Sequence, residues 1–299
     1  MFVLAHLSDP HLHPVSRPHL RELASKRVLG FINWQTRRHR RHDMDALAAL
    51  VADLKVESPD HVALTGDLAV VGAQAEYLPA RAFLASLGGP DWVSVVPGNH
   101  DSYVRATWHH PLLHWSDYMR GDAVEDRGLP HFPYVRRRGP LAIVGLSTAV
   151  PTAPFSATGR LGRGQAARLR RTLLALAGEE RFRVVLIHHP PIAGGHYLRR
   201  LVDAEAVASA IAEAGAELVL HGHEHRPVVA ALPGPNGPVP VIGVPSASAG
   251  PNDPTAPGAY NLYAIERVGG AWRCTVTTRG FAPGGSTIAE RSRRELVPA

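Results

Sequence analysis

The stretch LVLHGHEHRP, residues 218–227, runs from three apolar residues straight into His221, His223 and His225, two positions apart, with Gly222 between the first two. A short apolar run that stops abruptly at polar residues is the form of a buried strand ending at a site. Histidine is a frequent metal ligand and also an ordinary surface residue, so the triplet alone decides nothing. What decides is whether other strands end in the same way.

They do. FVLAHLS runs into Asp9 and His11, HVALTG into Asp67, WVSVVPG into Asn99, His100 and Asp101, and FRVVLI into His188 and His189. LAIVGLS, VPVIGVPS and YNLYAIE are further strand-type runs. Several of these are almost continuously hydrophobic, the pattern of strands buried on both faces. Helix-type segments alternate with them: DMDALAALVADLKVES with Asp43 as its N-cap, AQAEYLPARAFLASLG, GQAARLRRTLLALAG and DAEAVASAIAEAG. The alternation predicts an α/β fold with helices on the sheet faces. From about Val228 onward the helices cease, which predicts a second, antiparallel-leaning sheet.

In open α/β sheets, ligands bind beyond the carboxyl ends of the strands. The strand-end residues therefore converge on one place. Carboxylates, an amide oxygen and imidazoles make a nitrogen- and oxygen-rich donor set without sulfur. Such a set suits Mn, Fe, Zn, Ni or Co and is too rich in nitrogen for calcium. The donors are too many for one ion. Two ions sharing a carboxylate use them economically, and paired ions about 3.5–4 Å apart are a common solution for hydrolysing phosphate esters.

Taken in order, DPH (9–11), GD (66–67), GNHD (98–101), HHPP (188–191) and GHEH (222–225) resemble the signature of the calcineurin-like metallophosphoesterase superfamily. The resemblance implies a four-layer α/β/β/α sandwich with two divalent transition-metal ions (Mn, Fe or Zn) at the strand ends. By the family pattern Asp9, His11 and His225 hold one ion. Asn99, His188 and His223 hold the other, and Asp67 bridges the two. A metal-bridging hydroxide would attack phosphorus, with His100 contacting the phosphoryl group and protonating the leaving oxygen, and Asp101 orienting His100. Gly222 would let the backbone turn tightly so that both flanking imidazoles reach the centre. His189 is expected to turn away by strand alternation, His221 to be structural, and His13 to be a loop residue or a substrate contact.

The rest of the chain bounds the context. With 45% apolar and 19% charged residues, the composition is that of a globular protein. The 28 glycines and 26 prolines predict numerous loops. Cys274 is the single cysteine, which excludes an internal disulfide and a cysteine-based zinc site. The reading is one domain over residues 1–299, with a loosely held tail after about residue 282. Asp9 interrupts the N-terminal apolar run, which reads as no signal peptide, and no run reaches membrane-spanning length; the expected location is cytoplasmic.

A net charge of +6 favours anionic partners. The motifs are closest in style to bacterial small-molecule phosphodiesterases acting on cyclic nucleotides or glycerophosphodiesters. Protein phosphatases of the superfamily carry arginines after GD and GNH, which GDLAVVG and GNHDSYV lack. Residues 17–42 offer two readings, a helical cap beside the site or a membrane-contact insertion. Leu20, Leu23, Ala24, Val28, Phe31 and Ile32 recur at helical spacing, and Trp34 and the basic run Arg37–His42 follow. A basic amphipathic helix of this kind suits an anionic membrane surface at the inner face, contacted through residues 20–42, with a lipid-linked substrate such as UDP-diacylglucosamine. Nucleic acid is disfavoured, since the basic run lacks interleaved aromatics. A non-catalytic metal-binding protein is disfavoured by the intact motif set.

Overall fold

The structure, a computed structural model of the 299-residue chain, describes residues 1–13, 20–23, 25–36, 38–106, 109–123, 130–282 and 284–296. In chain order its elements are β1 (Phe2–Leu7), α1 (Leu20–Leu23), α2 (Arg27–Thr36), α3 (Met44–Val56), β2 (His61–Leu64), α4 (Tyr77–Leu87) and β3 (Val93–Val95). Next come α5 (His110–His114), β4 (Tyr134–Arg138), β5 (Leu141–Gly145), α6 (Arg163–Leu176), β6 (Phe182–Leu186), α7 (Ala204–Ala214) and β7 (Leu218–His221). The chain ends with β8 (Val228–Gly234), β9 (Gly237–Gly243), β10 (Ala259–Val268), β11 (Ala271–Phe281) and β12 (Ile288–Leu296).

Alternation along the strands explains the layering. On β5, β6 and β7, Leu141, Ile143, Phe182, Val184, Leu186, Leu218 and Leu220 share one core with β1, β2, α3 and α4. Their neighbours Ala142, Val144, Val185, Ile187 and Val219 point the other way and pack with Leu169 and Leu173 of α6 and Val207 and Ile211 of α7. Strands buried on both faces need apolar residues at every position, which is why these runs read as continuous. The result is two sheets flanked by helices. One has the order β12-β11-β10-β1-β2-β3 and the other β4-β5-β6-β7-β9-β8. Asp43 caps α3 as expected, accepting from the backbone N–H of Asp45 (2.9 Å) and Ala46 (3.0 Å).

Three expectations are corrected. The strands after Val228 do not form a sheet of their own. β8 and β9 pair as a hairpin on the edge of the second sheet, and β10 pairs antiparallel with β1 in the first. The free edge of β1 has backbone groups to satisfy, and β10 supplies them from Phe2↔Ile265 to His6↔Asn261. The tail is not loose either. β12 runs antiparallel to β11 from Phe281↔Ile288 to Cys274↔Leu296. Its side chains are mostly exposed and charged, so its order comes from the backbone ladder, which composition does not display.

The third correction concerns α2. Its inward positions are Arg27, Gly30 and Trp34, not the apolar stripe. Arg27 donates to the carbonyls of Val71 (3.2 Å) and Gly72, which follow the GD motif. A Cβ on Gly30 would lie 2.5 Å from the Tyr103 hydroxyl, so the helix sits against the body at its one residue without a side chain. Val28, Leu29 and Ile32 are left 37%, 41% and 54% exposed. The side chains of Leu20 and Leu23, and residues Ala24 and Arg37, lie outside the described residues. Among the described residues, no helix is long and apolar enough to cross a membrane.

Candidate metal centre

The loops leaving the parallel strands are zipped together by their backbones. Asp9, His11 and Leu12 donate N–H to the carbonyls of Gly66 (3.0 Å), Asp67 (3.0 Å) and Leu68 (2.9 Å). Asp9, His11, Asp67, His223 and His225 all have left-handed backbones, with φ of 54°, 39°, 57°, 69° and 52°. Each costs on the order of 1–3 kcal/mol for a residue that carries a side chain, and persists only where its surroundings impose it. Five of the seven residues expected to bind metal share this conformation, so backbone energy is spent where side chains must converge.

Two glycines permit that convergence. A Cβ on Gly98 would lie 2.2 Å from Asp67 Oδ1. On Gly222 it would lie 1.9 Å from Ser8 Oγ and 2.5 Å from Asp9 Oδ2. Gly222 is therefore required by close approach, not by the tight turn expected from sequence; its φ is not among the positive ones. Gly222→Ala should push Ser8 and Asp9 out of place, cost roughly 1–3 kcal/mol as overpacking does, and lower metal content below that of the parent protein. Thermal midpoint and elemental analysis are the measurements; a variant with unchanged values for both would show that the loop has room.

The structure brings the expected ligands together at the strand ends. Ligand atoms of Asp9, His11, Asp67 and His225 all lie within 4.8 Å of one another. His225 Nε2 is 3.3 Å from Asp9 Oδ1, and His11 Nε2 is 3.7 Å from Asp67 Oδ2. On the other side His188 Nε2 is 3.4 Å from the same Asp67 Oδ2. Asn99 Oδ1 lies 3.1 Å from His188 Nε2 and 3.0 Å from His223 Nδ1. Asp67 thus stands between the two sets, while its Oδ1 accepts the His100 N–H (2.8 Å).

The outer hydrogen bonds fix which ring atoms face inward. His11 and His188 donate Nδ1–H to the carbonyls of Ala69 (3.2 Å) and Thr65 (2.6 Å). His223 donates Nε2–H to the carbonyl of Arg199 (2.8 Å). In these neutral tautomers His188 Nε2 and His223 Nδ1 point lone pairs at Asn99 Oδ1, so acceptors face an acceptor, while His11 Nε2 faces His225 Nε2 (3.2 Å); a cation between the facing atoms resolves the first arrangement. Burial opposes charge on His188, yet Asp67 and Asp9 together push its pKa up to about 9. The place favours positive charge, and the residues fit a pair of divalent ions. Asp9, His11 and His225 would hold one, Asn99, His188 and His223 the other, and Asp67 both.

The remaining candidates separate. Asp101 does not orient His100. Its carboxylate accepts the backbone N–H of Asp67 (2.9 Å), Ala69 (2.8 Å) and Gly98 (2.8 Å), tying the GD and GNHD loops together. His100 is oriented by the Val70 carbonyl, to which its Nδ1–H donates, and its Nε2 accepts from Arg38 (3.1 Å). Burial pulls the His100 ring down to about 4, with Asp67 acting in the opposite sense. His189 does not turn clear of the site. Its ring packs 4.4 Å from that of His223, and both its nitrogens are engaged, by Thr148 Oγ1 (2.7 Å) and the Ala157 carbonyl (3.2 Å). His13 donates to the His42 carbonyl (2.8 Å), and His221 is buried with Nδ1 on the Gly222 carbonyl (2.9 Å).

Sequence reasoning missed two groups. His42, held by Ser248 Oγ (2.8 Å) and stacked on Trp34, brings a ligand atom within 4.8 Å of those of His11 and His225. Above the ligands opens a cleft of about 620 Å³, in the range of small-molecule sites, floored by Asn99, His100, His223 and His225. Arg38, Arg41, Arg199 and Arg226 enter it. The basic run is the available signal for the first two, but neither of its readings, a cap beside the site or a membrane contact, sends arginines into the cleft.

These clusters of histidine and aspartate suit a dinuclear divalent metal site. The chain belongs to the calcineurin-like phosphoesterase family, whose sequence pattern matches residues 2–227. No curated protein matches it in sequence. Among solved structures it is similar to a dimetal phosphatase from Danio rerio, with a TM-score of 0.63 and 13% identity, over 100% of this chain and 99% of that one. It is also similar to the purple acid phosphatase PPD1 of yellow lupin (Lupinus luteus), with a TM-score of 0.60 and 11% identity. That match covers 99% of this chain and 53% of the other. At these identities the likeness concerns the fold.

Proposed function

We propose that the protein is a metal-dependent phosphodiesterase acting on a small molecule, as its motifs suggested. The observation that carries this reading is the cleft above the metal ligands, large enough for organic groups on both substituents of a phosphorus atom and lined by arginines. When bound, the ions supply Lewis acidity toward phosphoryl oxygens and a water nucleophile of lowered pKa. The chain's own residues do the rest. Arg38 brings a fixed positive charge to the cleft, where negative charge builds on the phosphoryl oxygens whatever the leaving group, and His100 Nε2 holds it there by accepting its N–H. With Nδ1–H committed to Val70, a neutral His100 ring in this tautomer has no Nε2 proton to give. We therefore read His100 as the residue that positions Arg38, in place of the proton donor inferred from the family pattern. With saturating manganese, bis-p-nitrophenyl phosphate should show a higher kcat/KM than p-nitrophenyl phosphate. A preference for the monoester would overturn the diesterase reading.

A second reading has its own observation. Val28, Leu29 and Ile32 project from the outer side of α2, while Asn33 of the same helix reaches the cleft. An exposed apolar edge beside a cationic site suits a lipid-linked substrate at an anionic membrane surface. Arg38 and Arg41 point into the cleft, so the apolar edge, not the whole basic run, would make the contact. The protein should co-sediment with phosphatidylglycerol-containing vesicles at low salt, and Leu29→Ser with Ile32→Ser should reduce the bound fraction. Equal sedimentation of parent and double variant would remove this reading.

A further inference from the structure

The four arginines of the cleft are not equivalent. Arg41 is paired with Asp253 through Nε (3.1 Å) and a terminal nitrogen (3.3 Å), and also reaches Thr255. Arg226 lies 3.6 Å from Glu224. Among the described residues, no carboxylate comes within ion-pair distance of Arg38 or Arg199. The side-chain partner of Arg38 is the neutral acceptor His100 Nε2, which uses one of its five N–H donors.

Both side chains start from fixed points. The turn that carries Arg38 is tied by the Arg41 N–H to the Arg38 carbonyl (2.9 Å) and by His39 Nδ1 to the carbonyl of buried Trp34 (3.0 Å). Arg199 is fixed at its backbone, where its carbonyl accepts from the metal-ligand candidate His223. Burial lowers the Arg38 guanidinium from its ordinary value, Asp67 partly opposes this, and Arg199 lowers it further, so the two cations sense each other across the cleft. Two unneutralised guanidiniums held toward one space repel unless an anion lies between them.

A single diester phosphate carries one negative charge, and the ions would already attract it. We propose that Arg38 and Arg199 form a subsite for a second phosphoryl group of the substrate, distinct from the one attacked. The inference rests on the phosphoesterase reading and narrows its substrate class. The second phosphoryl is either joined to the first in a pyrophosphate linkage or placed elsewhere on the same molecule. In the linked case water adds to one phosphorus and the bond from that phosphorus to the bridging oxygen breaks. The electron pair stays on that oxygen, and the second phosphoryl departs as a phosphate monoester that Arg38 and Arg199 receive, while the water protons pass to solvent. Guanidinium forks match such a group by paired hydrogen bonds.

The test compares ADP with AMP, which differ by one phosphoryl group, as ligands of the manganese-loaded protein by titration calorimetry. ADP should bind about tenfold or more tightly than AMP, the scale of one or two charge-assisted hydrogen bonds. Arg38→Gln should remove most of that difference, and Arg38→Lys should restore part of it. Arg199→Gln, at an exposed position, gives the same reading if Arg38→Gln does not fold. Hydrolysis of UDP-glucose and of a 5′-phosphorylated dithymidylate then separates the two sources. A larger loss of kcat/KM in Arg38→Gln on either one, relative to bis-p-nitrophenyl phosphate, supports the subsite. Equal binding of ADP and AMP to the parent protein, or equal losses on all three substrates, would overturn it. Failure to hydrolyse any diester, with the ADP preference intact, would instead count against the phosphodiesterase reading alone.

Discussion

Asp67→Ala is expected to bind less than one metal ion per chain and to lose hydrolysis by on the order of 10³-fold or more, at least what removing one strong electrostatic stabiliser costs. The reason is position. Asp67 Oδ2 is the oxygen approached from one side by His11 (3.7 Å) and from the other by His188 (3.4 Å). Its removal also leaves the His100 N–H without the Oδ1 acceptor, loosening the loop that carries Asn99. Asn99→Ala should behave differently, since Asn99 serves only the set containing His188 and His223. It should lose mainly the second ion. Elemental analysis of both variants is the measurement, and two full equivalents in Asp67→Ala would refute the bridging assignment.

His100→Asn should keep both ions and lose on the order of 10²-fold in kcat, by about the same factor for a diester with an aryl leaving group as for one with an alkyl leaving group. A proton donor matters in proportion to how badly the leaving oxygen needs a proton, so it would show its loss chiefly on the alkyl ester. A residue that aims Arg38 acts through a charge present for every leaving group. The hydrogen bonds favour the second role: Nδ1–H is committed to Val70, and Nε2 accepts from Arg38. A much larger loss on the alkyl ester would restore the acid role. A fall in metal content would make His100 a ligand.

The convergence of the candidate ligands was legible in the sequence because strand ends in an α/β sheet are a topological address. Asp9, Asp67, Asn99, His188 and the histidine pair each follow an apolar run, and parallel pairing of β1 with β2 and of β6 with β7 brings those ends side by side. The arginines were not legible. Arg38 acts in the cleft because α2 docks through Arg27, Gly30 and Trp34 and thereby aims the following turn. That docking depends on the Val71 and Gly72 carbonyls and on the space beside Tyr103. No periodicity announces a helix whose inward face is arginine and glycine while valine, leucine and isoleucine face out. Asp101 misled for a related reason. Adjacency to His100 suggested a partner, whereas the carboxylate serves three backbone amides of neighbouring loops. The β12 strand was hidden because its pairing is made by the backbone and its side chains are polar.

The central claim is that two ions share the centre through Asp67. Crystals grown with manganese and measured at an anomalous wavelength test it most directly. The account predicts two anomalous peaks per chain, about 3.5–4 Å apart, one contacted by Asp9, His11 and His225, the other by Asn99, His188 and His223, and both by Asp67. A single peak, or two peaks with Asp67 touching only one, would contradict it.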